Sequence, residues 1–218
     1  MSTARGPAPA SRIRAYLGLG ANVGDAPATL AWAIGRLDAT PGLRVRAVSR
    51  LYVTTPWGVT DQPDFHNAAV AVDTTRSPLD LLATLKTIER DAGRRRRGRW
   101  GPRELDLDLL VYGRQQIRVE RPPEARSVDA ATDPAKAARL LEVPHRDAGE
   151  RSFVLAPLAD LAPRLAPPGW STTVETRRRR VAASEPPNAV RPVASWDAAA
   201  RGWRPLSGPG ASPAGGSG

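Results

Sequence analysis

The chain of 218 residues carries 32 Lys+Arg against 22 Asp+Glu, a net charge of +10, with 41% hydrophobic and 25% charged residues. That length suits one well-packed domain with appendages and is short for two, while the basic excess favours polyanionic partners such as nucleic acid, nucleotides or phosphorylated metabolites. The absence of cysteine excludes disulfides, thiolate zinc sites and thiol nucleophiles; no apolar run approaches bilayer length, and MSTARGPAPASRIR lacks the apolar core of a secretory leader, so a cytoplasmic protein is expected.

Residues 1–12 are expected to be disordered. RAYLGLGANVGD, from Arg14 to Asp25, alternates briefly and stops at Gly20, the pattern of a strand entering a turn. Past Pro27, the spacing of Leu30, Ala33, Ile34 and Leu37 predicts a helix to about residue 39. LRVRAVSRLYV alternates and then shifts phase, which predicts a second strand with a bulge or a change of face. TTPWGVTDQPDFHN is too irregular for either period and reads as a long loop, followed by a strand over AAVAVDT.

SPLDLLATLKTIERDAG carries clear helix signals: Ser77 as N-cap, Pro78 at the first position, Asp80 in the first turn and Gly93 past the end. Its stripe is Leu81, Leu82, Leu85, Ile88 and Ala92. An arginine-rich loop leads into the strand ELDLDLLVYG, and SFVLAPLADLAP suggests a short helical cap. Residues 121–141 resemble a surface insertion, and residues 169–218, rich in Pro, Gly, Ser and Ala, are expected to form a disordered tail. Deletion of 181–218 is accordingly expected to leave activity nearly intact. The domain spans 13–168, and the element order predicts an α+β, ferredoxin-like fold: a four-stranded antiparallel sheet core with two helices on one face.

Within that order, Asp106 and Asp108 are one residue apart on a strand and so share a face, with Cα atoms ~6.7 Å apart. Paired carboxylates beside Arg94, Arg96 and Arg103 suit Mg²⁺ with a nucleotide, because Mg²⁺ takes one or two carboxylates plus phosphate oxygens and guanidinium forks match phosphate. The same aspartates fit a solvated sheet face paired with Arg99 or Arg103, and the arginine runs fit a nucleic-acid or solubilising patch, the reading preferred for Arg177 to Arg180. Phe65 could stack on a flat polar ring whose edge Asn67 reads, although Trp57 and Phe65 equally fit loop anchors. His145 is open between a structural role and a phosphate donor.

YLGLGANVGD, TTPWGVTDQPDFHNAAV, RWGPRELDLDLL with its preceding GRxR, and VPHRD with RSFVLAPL together resemble the 6-hydroxymethyl-7,8-dihydropterin pyrophosphokinase family of folate biosynthesis, over about residues 13–167. The resemblance implies Mg-dependent transfer of pyrophosphate from ATP to the pterin hydroxymethyl oxygen, giving the pterin diphosphate and AMP. It further implies that Asp106 and Asp108 hold two Mg²⁺ ions and that Arg94 and Arg103 assist transfer. Glu89, Arg96, Trp100, His145 and Arg151 would then lie on the ATP side, with Thr54, Thr55, Trp57, Phe65, Asn67 and Phe153 around the pterin. Ala21, Lys86 and Arg146 depart from the family pattern, in which Ser, Gln, and Tyr or Pro are usual. The partners implied are ATP and the pterin, with no nucleic acid, no membrane and a monomeric state. A basic nucleic-acid binder on the same sheet and another Mg-dependent Asp-x-Asp transferase are the rival readings; the first lacks paired strand aromatics for stacking bases.

Overall fold

The computed structural model describes residues 11–54, 62–93, 101–122 and 138–206. β1 (Ile13–Ala21) leads into α1 (Ala26–Asp38), capped by Asp25, whose carboxylate accepts from the Ala28 N–H at 3.0 Å. The second predicted strand divides into β2 (Leu43–Val48) and β3 (Leu51–Thr54). The break falls at Ser49, whose side chain takes over a ladder position by accepting from the Ala69 N–H at 2.8 Å. β4 (Phe65–Thr74) is longer than the predicted strand: Phe65, His66 and Asn67 belong to it rather than to the preceding loop. α2 (Pro78–Asp91) carries the expected cap, with Ser77 Oγ accepting from the Asp80 N–H.

β5 (Asp106–Tyr112) follows, then the hairpin β6 (Ile117–Glu120) and β7 (Arg139–Val143), a short 3₁₀ turn (Ala148–Glu150) and α3 (Ser152–Leu161). The expected insertion at 121–141 is therefore narrower, since Arg139–Leu141 pair with β6; residues 123–137 lie outside the described set. The chain continues through α4 (Val174–Ala182), β8 (Val190–Asp197) and β9 (Gly202–Pro205).

Among the described residues seven strands form the main sheet, in the order β5-β1-β4-β3-β8-β9, with β2 also paired to β4. This corrects the four-stranded expectation. Odd positions of β1 (Ala15, Leu17, Leu19, Ala21), with Leu105, Leu107 and Leu109, face α1 and α2 in the principal core. On the opposite face, Leu110 and Val111 meet Leu155 and Leu158 of α3 and Val174 of α4, so helices cover both faces rather than one. A bulge at Leu110 makes this possible. The pairs Leu17–Leu109 and Tyr16–Val111 leave Leu110 as an extra residue, so Leu110 and Val111 turn to the same side before Tyr112 returns to the first core.

The expectation of a disordered tail from residue 169 is also corrected, through residue 206. Antiparallel pairing to β3 satisfies β8, Ala194 enters the principal core, and Trp196 and Trp203 meet edge to face at 5.1 Å. The Trp203 indole N–H donates to the Pro27 carbonyl at 3.0 Å. Pro192 lies beyond the residues paired with β9, where a missing N–H costs little. A few tertiary anchors thus order a segment whose local composition argues for none.

Candidate active site

The C-terminal end of β1 and the N-terminal ends of β4 and β5 meet at one end of the sheet. There, Gly20 stands between Asp106 on β5 and Asn67 on β4, and Gly18 between Asp108 and Ala69. Paired residues of antiparallel strands share a face, so Asp106, Gly20 and Asn67 form one row and Asp108, Gly18 and Ala69 the next. A Cβ at Gly20 would lie 3.1 Å from Asn67 Oδ1, and one at Gly18 would lie 3.3 Å from Leu110 Cδ2. The two glycines lie between the carboxylates and the amide, and their missing side chains let Leu110 pack over Gly18 and Asn67 Oδ1 over Gly20. Asn67 is held from the β3 side: its side-chain N–H donates to Thr54 Oγ1 at 2.9 Å, and Thr54 is the pairing partner of Phe65.

Asn22, just beyond β1, is 3% exposed and joins the segments that enter β4 and β5. Its Oδ1 accepts from the Arg103 N–H at 2.7 Å, and its own N–H donates to the Arg103 carbonyl at 2.9 Å. Its amide nitrogen donates to Gln62 Oε1 and to the Pro63 carbonyl, both at 3.1 Å. One buried amide therefore fixes where the chain enters β5 and where it enters β4. Asn22→Ala leaves the Arg103 N–H without this acceptor, an effect of about 1–3 kcal/mol. The expected result is a lowered thermal midpoint and KM values raised for both substrates; an unchanged midpoint with unchanged KM values would count against this role.

The third wall comes from the segment after β7. The His145 N–H donates to the Leu110 carbonyl at 2.9 Å, Arg151 Nη2 donates to Asp147 Oδ2 at 2.6 Å, and the Arg151 guanidinium lies 5.8 Å from the Phe153 ring centroid. α3 thus starts on the face that carries the aspartates. Of the other sequence candidates, Thr55, Trp57, Arg94, Arg96 and Trp100 lie outside the described residues.

The donor set suits a hard, weakly caged cation. Among the described residues no cluster of three or more His, Asp or Glu side chains is placed to hold a metal. Two carboxylates on one sheet face leave the remaining positions to water and phosphate oxygens, as Mg²⁺ prefers.

A model of the 7,8-dihydro-6-hydroxymethylpterin-pyrophosphokinase family matches residues 16–163. The chain belongs to this family. It is a pyrophosphokinase, an enzyme of the diphosphotransferase class. The 2-amino-4-hydroxy-6-hydroxymethyldihydropteridine pyrophosphokinase of Methylorubrum extorquens is 46% identical over 79% of this chain and 94% of its own length. That of Bacillus subtilis is 36% identical over 77% of this chain and 89% of its own. A crystal structure of Plasmodium falciparum HPPK-DHPS with pteroate shares the fold, with a TM-score of 0.66 at 15% identity, covering 92% of this chain. This chain spans about half of that longer one, 48%.

In this pyrophosphokinase, Glu89 serves the strand that bears the aspartates. Glu89 is 3% exposed, and its Oε1 accepts from the Leu107 N–H at 2.8 Å and from Lys86 Nζ at 2.7 Å. Lys86 Nζ also donates to the Leu107 carbonyl at 3.3 Å. β5 is an edge strand, and α2 occupies its outward N–H and C=O midway between Asp106 and Asp108. The departure at Lys86 therefore adds a charge-assisted contact to the strand edge. Gly18, Gly20 and Asn22 are the site residues that sequence reasoning missed as individuals. The signal was present, since the glycine alternation of β1 mirrors the aspartate alternation of β5.

His66 separates Phe65 from Asn67 and points to the α1 side. Burial above all, with Arg191 adding to it, pulls its pKa below the ordinary 6.5 against the upward pull of Asp64 and Asp25, and its Nδ1 has no hydrogen-bond partner among the described residues. A lowered folded pKa means that the unfolded chain binds the proton more readily. The contribution to stability is complete above about pH 6.5 and is lost as pH falls from there through the folded value. Thermal midpoints of His66→Leu should therefore fall less steeply than wild type below about pH 6.5; parallel curves would contradict this.

Proposed function

We propose that the chain catalyses Mg²⁺-dependent transfer of a pyrophosphoryl group from ATP to 6-hydroxymethyl-7,8-dihydropterin, giving the pterin diphosphate and AMP in folate biosynthesis. The single observation that carries this reading is the register that sets Gly18 and Gly20 of β1 between Asp106 and Asp108 on β5 and the Thr54-held Asn67 on β4. It offers a phosphate side and a ring-edge side within two strand spacings, about 10 Å.

The pterin hydroxymethyl oxygen forms a bond to the β-phosphorus of ATP while the bond from that phosphorus to the α,β-bridging oxygen breaks. AMP carries the bridging oxygen away, and the hydroxyl proton leaves to a carboxylate oxygen of Asp108 or to solvent. Such a reaction needs little covalent help, so in-line positioning and dispersal of charge supply most of the rate. Asp106 and Asp108 would hold two Mg²⁺ ions, which neutralise phosphate charge when bound. Arg94 and Arg103 meet the triphosphate in this reading, with Glu89, Arg96, Trp100, His145 and Arg151 on the nucleotide side. Thr54, Thr55, Trp57, Phe65, Asn67 and Phe153 surround the pterin; Asn67, its N–H engaged by Thr54, offers its Oδ1 to ring N–H donors.

The proposed partners are these two small molecules, with a monomer acting in the cytoplasm and engaging neither nucleic acid nor membrane. Among the described residues no helix is long and apolar enough to cross a membrane. Product analysis tests the reading: ATP, Mg²⁺ and the pterin should yield AMP and a pterin diphosphate in equal amounts. ADP as the nucleotide product, or AMP formed equally well without pterin, would overturn it.

A further inference from the structure

α3 begins at the site, yet its own sequence holds its first turn loosely. Arg151 precedes the helix without a side-chain cap, and Pro157 lies within it, so the Phe153 carbonyl lacks the N–H donor four residues on. Partners from elsewhere in the chain make up for this. At the C-terminal end, Asp160 accepts from the Arg50 N–H at 3.0 Å, from Arg50 Nη2 at 2.6 Å and from the Tyr52 hydroxyl at 3.0 Å. Burial, with Asp160 beside it, pushes the Tyr52 phenol well above its ordinary pKa, so that it stays a donor. Tyr52 is paired with Asn67, so this end of α3 is tied to the row that contains the amide.

At the N-terminal end, Ser152 is 5% exposed and its hydroxyl donates to the Glu185 carboxylate at 2.5 Å. Glu185 comes from the segment after α4, and its negative charge meets the positive end of the α3 dipole. The turn just before is held by α4 itself: Arg177 stacks on Trp170 at 4.7 Å and donates to the Gly149 carbonyl at 3.3 Å. A Cβ at Gly149 would lie 2.6 Å from Arg177 Nη1, so the glycine is what allows the close approach.

We propose that Glu185 is a positioning residue of the active site, which holds Ser152 and thereby the neighbouring Phe153 in its working orientation, while Arg151 is held independently by Asp147. Glu185 lies beyond residues 16–163, the span matched by the family model. The proposal rests on the pterin reading of Phe153. With the far end of α3 fixed by Asp160, release of the near end leaves the helix in place and lets its first turn drift, which misplaces the ring that Phe153 would present.

The test compares wild type, Glu185→Ala, Glu185→Gln and Ser152→Ala. Steady-state kinetics, fluorescence titration with the pterin and titration with a non-hydrolysable ATP analogue are the readouts. The expected result is a KM and Kd for the pterin raised about 10-fold in Glu185→Ala and Ser152→Ala, with kcat within about 3-fold and analogue affinity unchanged. Glu185→Gln, whose amide oxygen still accepts from Ser152, should recover most of the pterin affinity. Wild-type pterin affinity in Ser152→Ala, or equal losses for both ligands in it, would overturn the inference even if Glu185→Ala did not fold. Failure of wild type itself to form AMP with the pterin would instead overturn the reading of the reaction.

Discussion

Replacement of Asp106 or Asp108 by Asn is expected to lower kcat/KM by at least about 10³-fold, or ~4 kcal/mol of transition-state stabilisation, the scale on which charge-neutralising groups act in phosphoryl transfer. The volume is kept, and the backbone ties of the strand remain, because Leu107 is bound by Glu89 and Lys86 rather than by either aspartate. The variants should therefore fold. Replacing Asp108 also relieves its like-charge repulsion with Asp106, so the thermal midpoint of Asp108→Asn without Mg²⁺ should be equal to or above that of wild type. Addition of Mg²⁺ with a non-hydrolysable ATP analogue should raise the wild-type midpoint and leave those of the variants nearly unmoved, since only a native state that binds is stabilised. Retained turnover in both variants would remove the metal assignment, and a collapse of stability without ligand would assign the aspartates to the fold instead.

The second large effect concerns the C-terminal segment. Deletion of residues 181–218 removes β8 and β9, strips β3 of its partner along Leu51–Thr54, uncovers Leu51 at 2% exposure, and takes Glu185 from Ser152. Loss of two partly buried indoles, the Ala194 contact and the ladder hydrogen bonds costs on the order of 3–6 kcal/mol, a large share of the stability of a domain this size. β3 would also become an exposed edge beside Thr54, and such edges invite pairing with other chains. The expected result is a poorly soluble or unfolded product with activity below about a tenth of wild type. A chain ending at Leu206 should keep full activity and the wild-type midpoint. Full activity in the shorter chain would mean that β8 and β9 do not support the site.

Several elements were legible locally. The caps of α2 at Ser77 and Pro78, the 3.6-residue stripe of α1, and the two-residue alternation around Asp106 and Asp108 depend on neighbours close in sequence, so local pattern reports them faithfully. The block order from YLGLGANVGD to RSFVLAPL likewise carries the family, because the residues that make the site lie in short contiguous runs. Where position depended on partners distant in the chain, local pattern was silent. Val190–Asp197 has little apolar alternation, and it is a strand because β3 offers an edge and Trp203 a ring. Arg177 read as part of a solvated basic run, yet its guanidinium packs on Trp170 because α4 turns that face inward. Asn22 and Glu185 each look like ordinary polar surface residues in isolation.

The sequence by itself determined the helices α1 and α2 and the shared face of the paired aspartates, which follow from spacing along a single strand or helix, and its motif blocks, taken in order, carried the resemblance to the family. Only the tertiary structure decided that the glycines of β1 lie between those aspartates and Asn67, that one buried asparagine joins two loops, and that the basic C-terminal segment completes the sheet and steadies α3. The physical reason is that hydrogen-bond satisfaction and burial of polar groups belong to pairs of residues, and these pairs are 81 apart for Asn22 and Arg103 and 33 apart for Ser152 and Glu185.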